Sequence, residues 1–135
     1  MALQLSAAVR NAMLDAIETT IGTSAVLKIR TGAPPASVAT ADSGTVLATL
    51  TLPSDWMAGA SSGSKAKSGT WEDASADAAG TAAHYRIYAS DGTTAHLQGT
   101  VTATGGGGDL TVDNTSFAAG QSFTVTSYSW TAANS

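Results

Sequence analysis

The stretch from Thr81 to Val101 constrains the fold more than any other part of the chain, because two runs of alternating side chains flank a turn sequence within it. Alternating side chains lie on opposite faces of a strand. One face of the two runs is apolar and contains Tyr85, Ile87 and Leu97. The other face is polar and contains His84, Arg86, Tyr88, His96 and Gln98. This pattern predicts a β-hairpin in an antiparallel sheet that has one solvent-exposed face.

The length of the hairpin loop decides which residues of the two strands face each other. A two-residue turn at residues 91–92 would place Ile87 opposite His96 and mix the two faces. A three-residue loop at residues 90–92 places Ile87 opposite Ala95, so that apolar residues meet. We therefore predict the three-residue loop, a type I turn closed by its glycine in the left-handed conformation.

The composition narrows the kind of surface that this chain presents. Charged residues make up 12 % of the 135 residues, about half of the ~25 % that is usual in soluble domains. We expect a neutral surface rich in small side chains, which suits a protein that packs against neighbours because few charges must be desolvated. The same composition also suits a plain Thr-rich β-sandwich, so the composition does not distinguish a protein that packs against neighbours from such a sandwich.

The charge balance and the cysteine count argue against further kinds of site. The formal net charge is −4, with six Lys and Arg residues. Since phosphate contacts dominate affinity for nucleic acids, we expect no direct binding to DNA or RNA. The lack of cysteine excludes disulfides and thiolate metal sites. No apolar run approaches the roughly 20 residues that span a bilayer, and the N-terminus lacks the pattern of a secretion signal, so we expect folding in a cytoplasm.

One segment, residues 6–21, has the pattern of an amphipathic helix. Ser6 is placed to cap its N-terminus and Gly22 to end it. An apolar stripe with mostly four-residue spacing contains Val9, Met13, Leu14, Ala16, Ile17 and Ile21. The opposite, polar side contains Arg10, Asn11, Asp15 and Glu18. The stripe either covers an open face or end of the β core, which we favour, or docks on a partner subunit.

The rest of the chain has the pattern of short strands separated by turns. Strands are expected at residues 25–31, 45–52, 109–113 and 123–131. A single helical turn is expected around Trp56, which should anchor the core. Lys65 and Lys67 lie two apart, as lysines that protect an edge strand do. We predict one domain over residues 1–135, with the helix preceding a mainly β, antiparallel sandwich or barrel-like part at about 24–131.

Three features suggest chemistry, and each has a plainer explanation. His84 and His96 are predicted to lie beside Arg86, whose charge would repel a metal cation, and no third ligand is evident. The run Gly105–Gly108 lacks the Lys and Ser or Thr of a phosphate-binding loop, which favours a flexible connection. The acidic residues within 72–77 lack the spacing of a calcium loop. We therefore predict no catalytic residue, no cofactor, no metal site and no enzymatic activity.

An interface is the more plausible use of the polar hairpin face. Broad polar faces with aromatic residues can contact a partner, and tryptophan is enriched at the energetic centres of interfaces. The candidate interface residues are His84, Arg86, Tyr88, His96, Gln98, Trp71 and Trp130.

The overall pattern of the chain resembles a family of small virion structural proteins of tailed bacteriophages and prophages. The stretches that carry the resemblance are AIETTIGTSAVLKIRTGAPPAS, ATLTLPSDWMA, SGTW, GTAAHYRIYASDGTTAHLQGTVT and GGGGDLTVDNTSFAAGQSFTVTS. Together they cover nearly the whole chain. None of them is a mechanistic motif, so the resemblance transfers no individual contact residue.

Within that family the chain is most similar to head decoration, or cement, proteins. The resemblance implies binding to the major capsid protein or other virion proteins, a homo-oligomer with a trimer favoured, no contact with a membrane, and a location on the virion head after synthesis in a host bacterium. A tail or neck structural protein is the alternative within virions. An Ig-like or carbohydrate-binding β-sandwich that uses the polar hairpin face is the alternative outside them.

Overall fold

The protein is mainly β, with one N-terminal helix and a nearly closed, barrel-like sheet, as the sequence predicts. The computed structural model describes residues 3–132, apart from the side chain of Thr126. Helix α1 spans Ala7–Ile21. Strands β1 to β11 span, in chain order, Val26–Arg30, Val46–Thr51, Ser64–Ala66, Glu72–Asp73, Gly80–Thr81, His84–Tyr88, Ala95–Ala103, Leu110–Val112, Ser116–Phe117, Phe123–Ser127 and Ser129–Thr131.

Seven strands form the main sheet, in the order β2-β1-β6-β7-β8-β10-β4. Its two edges, β2 and β4, come together through side chains rather than through a ladder of backbone hydrogen bonds. Thr49 donates its N–H to Asp73 Oδ2 at 3.0 Å and its hydroxyl to Asp77 Oδ2 at 2.8 Å. Two smaller sheets, β3 with β11 and β5 with β9, complete the fold. The acidic residues within 72–77 thus help to close the barrel.

The predicted hairpin is present as β6 and β7, but its register differs from the prediction by two residues. Ile87 faces Leu97 and not Ala95. Gly92 has a φ of 72°, the left-handed conformation that was predicted. The loop is longer than three residues because the Asp91 carboxylate accepts hydrogen bonds from the two residues after Gly92 and holds them in the turn. Since the difference is even, the apolar side chains stay on one face.

The glycine run after β7 forms a tight crossover. Strands β7 and β8 pair in parallel, which departs from the predicted antiparallel sheet. Parallel neighbours normally need a connection of about a dozen residues, whereas residues 104–109 suffice here. Gly105 and Gly107 have φ values of 88° and 82°, and a Cβ on Gly106 would lie 2.7 Å from the Thr102 side chain. Glycine is required for both the turn and the close approach.

Helix α1 begins and ends where the sequence predicts. Ser6 Oγ accepts a hydrogen bond from the Val9 N–H at 3.2 Å, and the Gly22 N–H donates to Glu18 O at 2.9 Å. The face that packs on the barrel is narrower than the predicted stripe. Leu14 and Ile21 are buried, whereas Val9 and Met13 are 46 % and 50 % exposed. Half of the apolar stripe therefore faces away from the core.

The polar side of α1 packs on β3. Lys65 Nζ lies 2.6 Å from Asp15 Oδ1 and 2.8 Å from Glu18 Oε2. Asn11 Oδ1 accepts a hydrogen bond from the Gly63 N–H at 2.9 Å. Burial would lower the pKa of Lys65, but hydrogen bonds to the two carboxylates raise it above its usual range. Lys65 is 3 % exposed, so the predicted edge-protecting role is wrong for it, and it anchors the helix.

Trp56 is fully buried and anchors the core as predicted. Its Nε1–H donates to Gly22 O at 2.9 Å, which ties the end of α1 to the barrel. The helical turn predicted around it does not form within residues 53–57, all of which the structure describes. The predicted last strand is divided at Tyr128 into β10 and β11, and Tyr128 enters the core.

Candidate functional site

The polar face of the hairpin is buried, contrary to the prediction that it is exposed. His84 and Tyr88 are fully buried and Arg86 is 2 % exposed. The loop at residues 32–44, between β1 and β2, lies over them and contacts them directly. An extended polar face can be covered at low cost when each of its polar groups finds a partner, and this loop supplies them.

Arg86 is the centre of the contacts beneath this loop. Its Nη1 donates to Asp42 Oδ1 at 2.8 Å, and its Nη2 donates to Ser37 O and Thr40 O at 3.0 and 2.8 Å. Its Nε donates to Gln98 Oε1 at 3.1 Å. All three guanidinium nitrogens therefore form hydrogen bonds within the protein, and Arg86 is buried away from any partner protein.

Asp42 joins the loop to two strands at once. It pairs with Arg30 Nη2 at 2.9 Å on β1 and accepts a hydrogen bond from the Tyr88 hydroxyl at 2.8 Å on β6. Burial would raise the pKa of Asp42, but the Tyr88 hydrogen bond and the charges of Arg30 and Arg86 lower it below its usual range. The carboxylate is thus held in its ionised form, which two buried arginines require.

His84 also holds the loop. Its Nδ1 lies 2.6 Å from Gly32 O, the geometry of a hydrogen bond from an Nδ1–H donor. Its Nε2 is buried and has no hydrogen-bond partner among the described residues. Gln98 contributes a further contact, from Nε2 to Pro35 O at 2.8 Å. The hairpin residues predicted as an interface therefore form an internal latch for the loop, defined here as His84, Arg86, Tyr88 and Gln98 with Arg30 and Asp42.

His96 is separated from this latch, so the two histidines do not come together. It lies at the irregular part of the β6–β7 pairing and is exposed. It lines a shallow groove against α1 with Met13, Ala16 and Thr20. Within residues 3–132 no group of three His, Asp or Glu side chains is placed to hold a metal ion. The prediction that His96 shares a face with His84 and Arg86 is wrong because the pairing is irregular at that point.

The predicted interface tryptophans belong to an aromatic cluster. Trp71 is fully buried, with its ring centroid 6.0 Å from that of Trp56. Trp130 is partly buried and packs edge-on against Trp56 and Tyr128, at 5.7 and 5.9 Å. Trp71 is thus a core residue in this chain, and only Trp130 keeps part of its surface accessible.

A cleft opens between α1 and the mouth of the barrel, next to Trp130. It has a volume of about 560 Å³. Its walls include Leu14 and Ile17 of the helix, the Tyr85 and Tyr128 rings, and Asp109. The Trp130 Nε1–H donates to the Tyr128 hydroxyl at 2.7 Å, and that hydroxyl lies 2.8 Å from the Tyr85 hydroxyl. This chain of hydrogen bonds fixes the aromatic wall.

Of the residues that line the cleft, the sequence analysis named two, Gln98 and Trp130, as candidate site residues. Tyr85 was assigned to the core, and Asp109 was taken as the start of a strand. The alternation of Tyr128 with Trp130 near the C-terminus was a signal that the two aromatic rings lie on one face. No local pattern could indicate that Asp109 meets them, because the glycine crossover brings it there.

Comparison with protein-family models, with curated proteins and with solved structures gives no significant match. Among the described residues there is no helix with the length and apolar character needed to cross a membrane. The geometry offers two candidate sites: the cleft, and the exposed side of α1, defined here as the apolar helix face: Val9, Met13 and Ala16.

Proposed function

We propose that this protein is a bacteriophage virion structural protein, and that it serves as a head decoration protein that binds the lattice of the major capsid protein. The resemblance in sequence pattern, which covers nearly the whole chain, supports the family. The structural observation that carries the proposal is the apolar helix face, since it is a surface that a decoration protein can place on a neighbouring subunit.

This face is exposed because the helix packs its polar side on β3. Asp15 and Glu18 pair with Lys65, so the helix is held against β3 by charges and leaves Val9 and Met13 about half exposed. Burying apolar surface gains roughly 25 cal/mol per Å². The helix face thus retains a driving force for association that its packing on the barrel does not use.

The low content of charged residues acts in the same direction. With charged residues at 12 % of the chain, few ions lose their hydration when the surface is covered. A decoration protein is present in many copies, and several weak contacts joined in one oligomer bind far more tightly than any single contact. A homo-oligomer, with a trimer favoured, clamps neighbouring capsomers against the pressure of the packaged DNA.

Purified virions test the location. Quantitative mass spectrometry should find the protein in stoichiometric amounts, and electron microscopy of labelled particles should place it on the head. Location at the tail or neck would replace the decoration role with the alternative structural role. Complete lack of the protein from virions would refute the family assignment.

A variant tests the surface. Val9→Asp combined with Met13→Asp should abolish binding to purified empty capsids while the circular dichroism spectrum stays unchanged, because both side chains are exposed. Ala79→Asp is the matched control, since it places a charge at another exposed position and should leave capsid binding intact. Equal binding by the double variant would exclude the apolar helix face as the contact.

The hairpin-based sugar-binding function loses its structural basis. It required His84, Arg86 and Tyr88 to be accessible, and all three are buried beneath the loop at residues 32–44. A glycan array offers a direct check, with binding expected at background for the wild-type protein.

A further inference from the structure

We infer that the cleft between α1 and the barrel mouth binds an arginine side chain of a partner protein. The inference deepens the proposed function, on which it rests for the identity of the partner. It is carried by three features of the cleft: its shape, its one charge and its aromatic wall.

The shape suits a long side chain with an apolar stem. The cleft volume of about 560 Å³ lies within the range of roughly 300–1,000 Å³ that is usual for ligand sites, which often occupy barrel mouths. Leu14, Ile17 and Leu97 give one apolar side. The methylene groups of an arginine can pack along such a side while its charged end reaches the polar side.

The negative charge of the cleft favours a cationic ligand group. Among the described residues that line the cleft, Asp109 is the one that carries a charge at neutral pH. Its Oδ2 accepts hydrogen bonds from the Thr100 N–H and hydroxyl at 2.9 and 3.1 Å. Its Oδ1 accepts no hydrogen bond from residues 3–132, so it can accept one from a ligand. A carboxylate fixed by one oxygen and open at the other is a preorganised acceptor for a guanidinium group.

The aromatic wall favours arginine over lysine. Burial raises the pKa of Tyr85 above its usual range and that of Tyr128 to about 12, so both hydroxyls stay neutral beside Asp109. Trp130 is held by its hydrogen bond to Tyr128 and is partly exposed. A planar guanidinium group can stack flat on an aromatic ring while its in-plane N–H groups donate to a carboxylate, whereas a lysine ammonium group has no planar face to stack.

Heteronuclear NMR titration of the full chain tests the inference. The probes are the capped tripeptide Gly-Arg-Gly and its citrulline analogue, which keeps the shape of arginine and lacks the charge. The Trp130 indole N–H and the backbone signals of Leu97 and Asp109 should shift and saturate with the arginine peptide. The citrulline peptide should bind at least about fivefold more weakly, given the usual size of ion-pair and cation–π contributions.

Asp109→Asn is the decisive variant, because it removes the charge and keeps an oxygen that can accept from Thr100. The variant should bind the arginine peptide at least about fivefold more weakly than the wild type does. Asp113→Asn is the control, since Asp113 is exposed and outside the cleft, and it should bind like the wild type. Equal affinity for citrulline, unchanged affinity in Asp109→Asn, or shifts confined to other surfaces would overturn the inference.

Capsid binding, measured on the same proteins, separates this inference from the proposed function. A wild-type protein that binds capsids but not the arginine peptide refutes the cleft as an arginine site and leaves the decoration role standing. A protein that binds the peptide through Asp109 but does not bind capsids supports the cleft and refutes the decoration role.

Discussion

Arg86 Nη1 and Asp42 Oδ1 form a 2.8 Å ion pair between the middle of a barrel strand and a loop 44 positions earlier in the chain. Because of this ion pair, the polar face of the hairpin binds the loop at residues 32–44 and is not available to a partner. A guanidinium group that is 2 % exposed must be matched within the protein, and Asp42 provides the match together with two loop carbonyl groups. The most polar part of the sheet is therefore an internal structural element.

Asp42→Ala should destabilise the protein by about 2–3 kcal/mol. Removing the carboxylate leaves Arg30 and Arg86 buried without their counter-ion, and the loss of stability is larger than for a surface ion pair. The partial exposure of Asp42 reduces this loss, because solvent screens the charges. Urea unfolding measures the change. Asp113→Ala, at an exposed position, should change stability by less than about 0.5 kcal/mol. Equal effects of the two substitutions would show that the latch contributes no stability.

The tyrosines should resist ionisation until the protein unfolds in alkali. Burial raises the pKa of Tyr85, Tyr88 and Tyr128, which are all of the tyrosines in the chain. A raised pKa in the folded state means that stability is fully present below pH ~10, the unfolded pKa, and is lost as pH rises above it.

Ultraviolet titration of phenolate absorbance, followed together with circular dichroism, checks this. Phenolate should form in one cooperative step that coincides with the loss of β structure. A tyrosine that ionises near pH 10 with the fold intact would contradict the burial of that side chain. Tyr88→Phe should reduce the amplitude by one third of the total, because the chain has three tyrosines.

Lys65→Ala should loosen helix α1. The Lys65 stem is buried and its ammonium group holds Asp15 and Glu18, so its loss should cost about 2 kcal/mol of stability. Lys67→Ala is a matched control two residues away, because Lys67 is only partly buried and forms no ion pair among residues 3–132. Hydrogen exchange of the α1 amides should accelerate in the first variant and stay at the wild-type rate in the second.

Gly99→Ala should disturb the cleft wall. A Cβ at this position would lie 2.8 Å from the Tyr85 ring and hydroxyl and 2.9 Å from Asp109 Oδ2. Overpacking of this kind costs about 1–3 kcal/mol. Gly59→Ala has open space around its Cβ and should be neutral in thermal unfolding. A stable Gly99→Ala variant with an unchanged Tyr85 signal would show that the added Cβ fits without displacing Tyr85, which would contradict the close contact between Gly99 and Tyr85.

The sequence alone predicted the elements whose pattern is local. The helix with its Ser6 cap, the strands β1, β2 and β8, and the left-handed turn at Gly92 are where periodicity and turn chemistry place them. Each depends on residues a few positions apart. The alternation in the hairpin likewise gave the correct faces, even though its register was wrong by two residues.

Only the tertiary structure decided which faces are covered, and with them the candidate sites. Lys65 turns the polar side of α1 inward from 50 positions away, Asp42 covers the hairpin face, and the glycine crossover brings Asp109 to Trp130. The physical reason is that a polar face can be buried at low cost wherever a distant segment supplies its partners. Local patterns record the polarity of a face, whereas burial depends on what the rest of the chain brings to it.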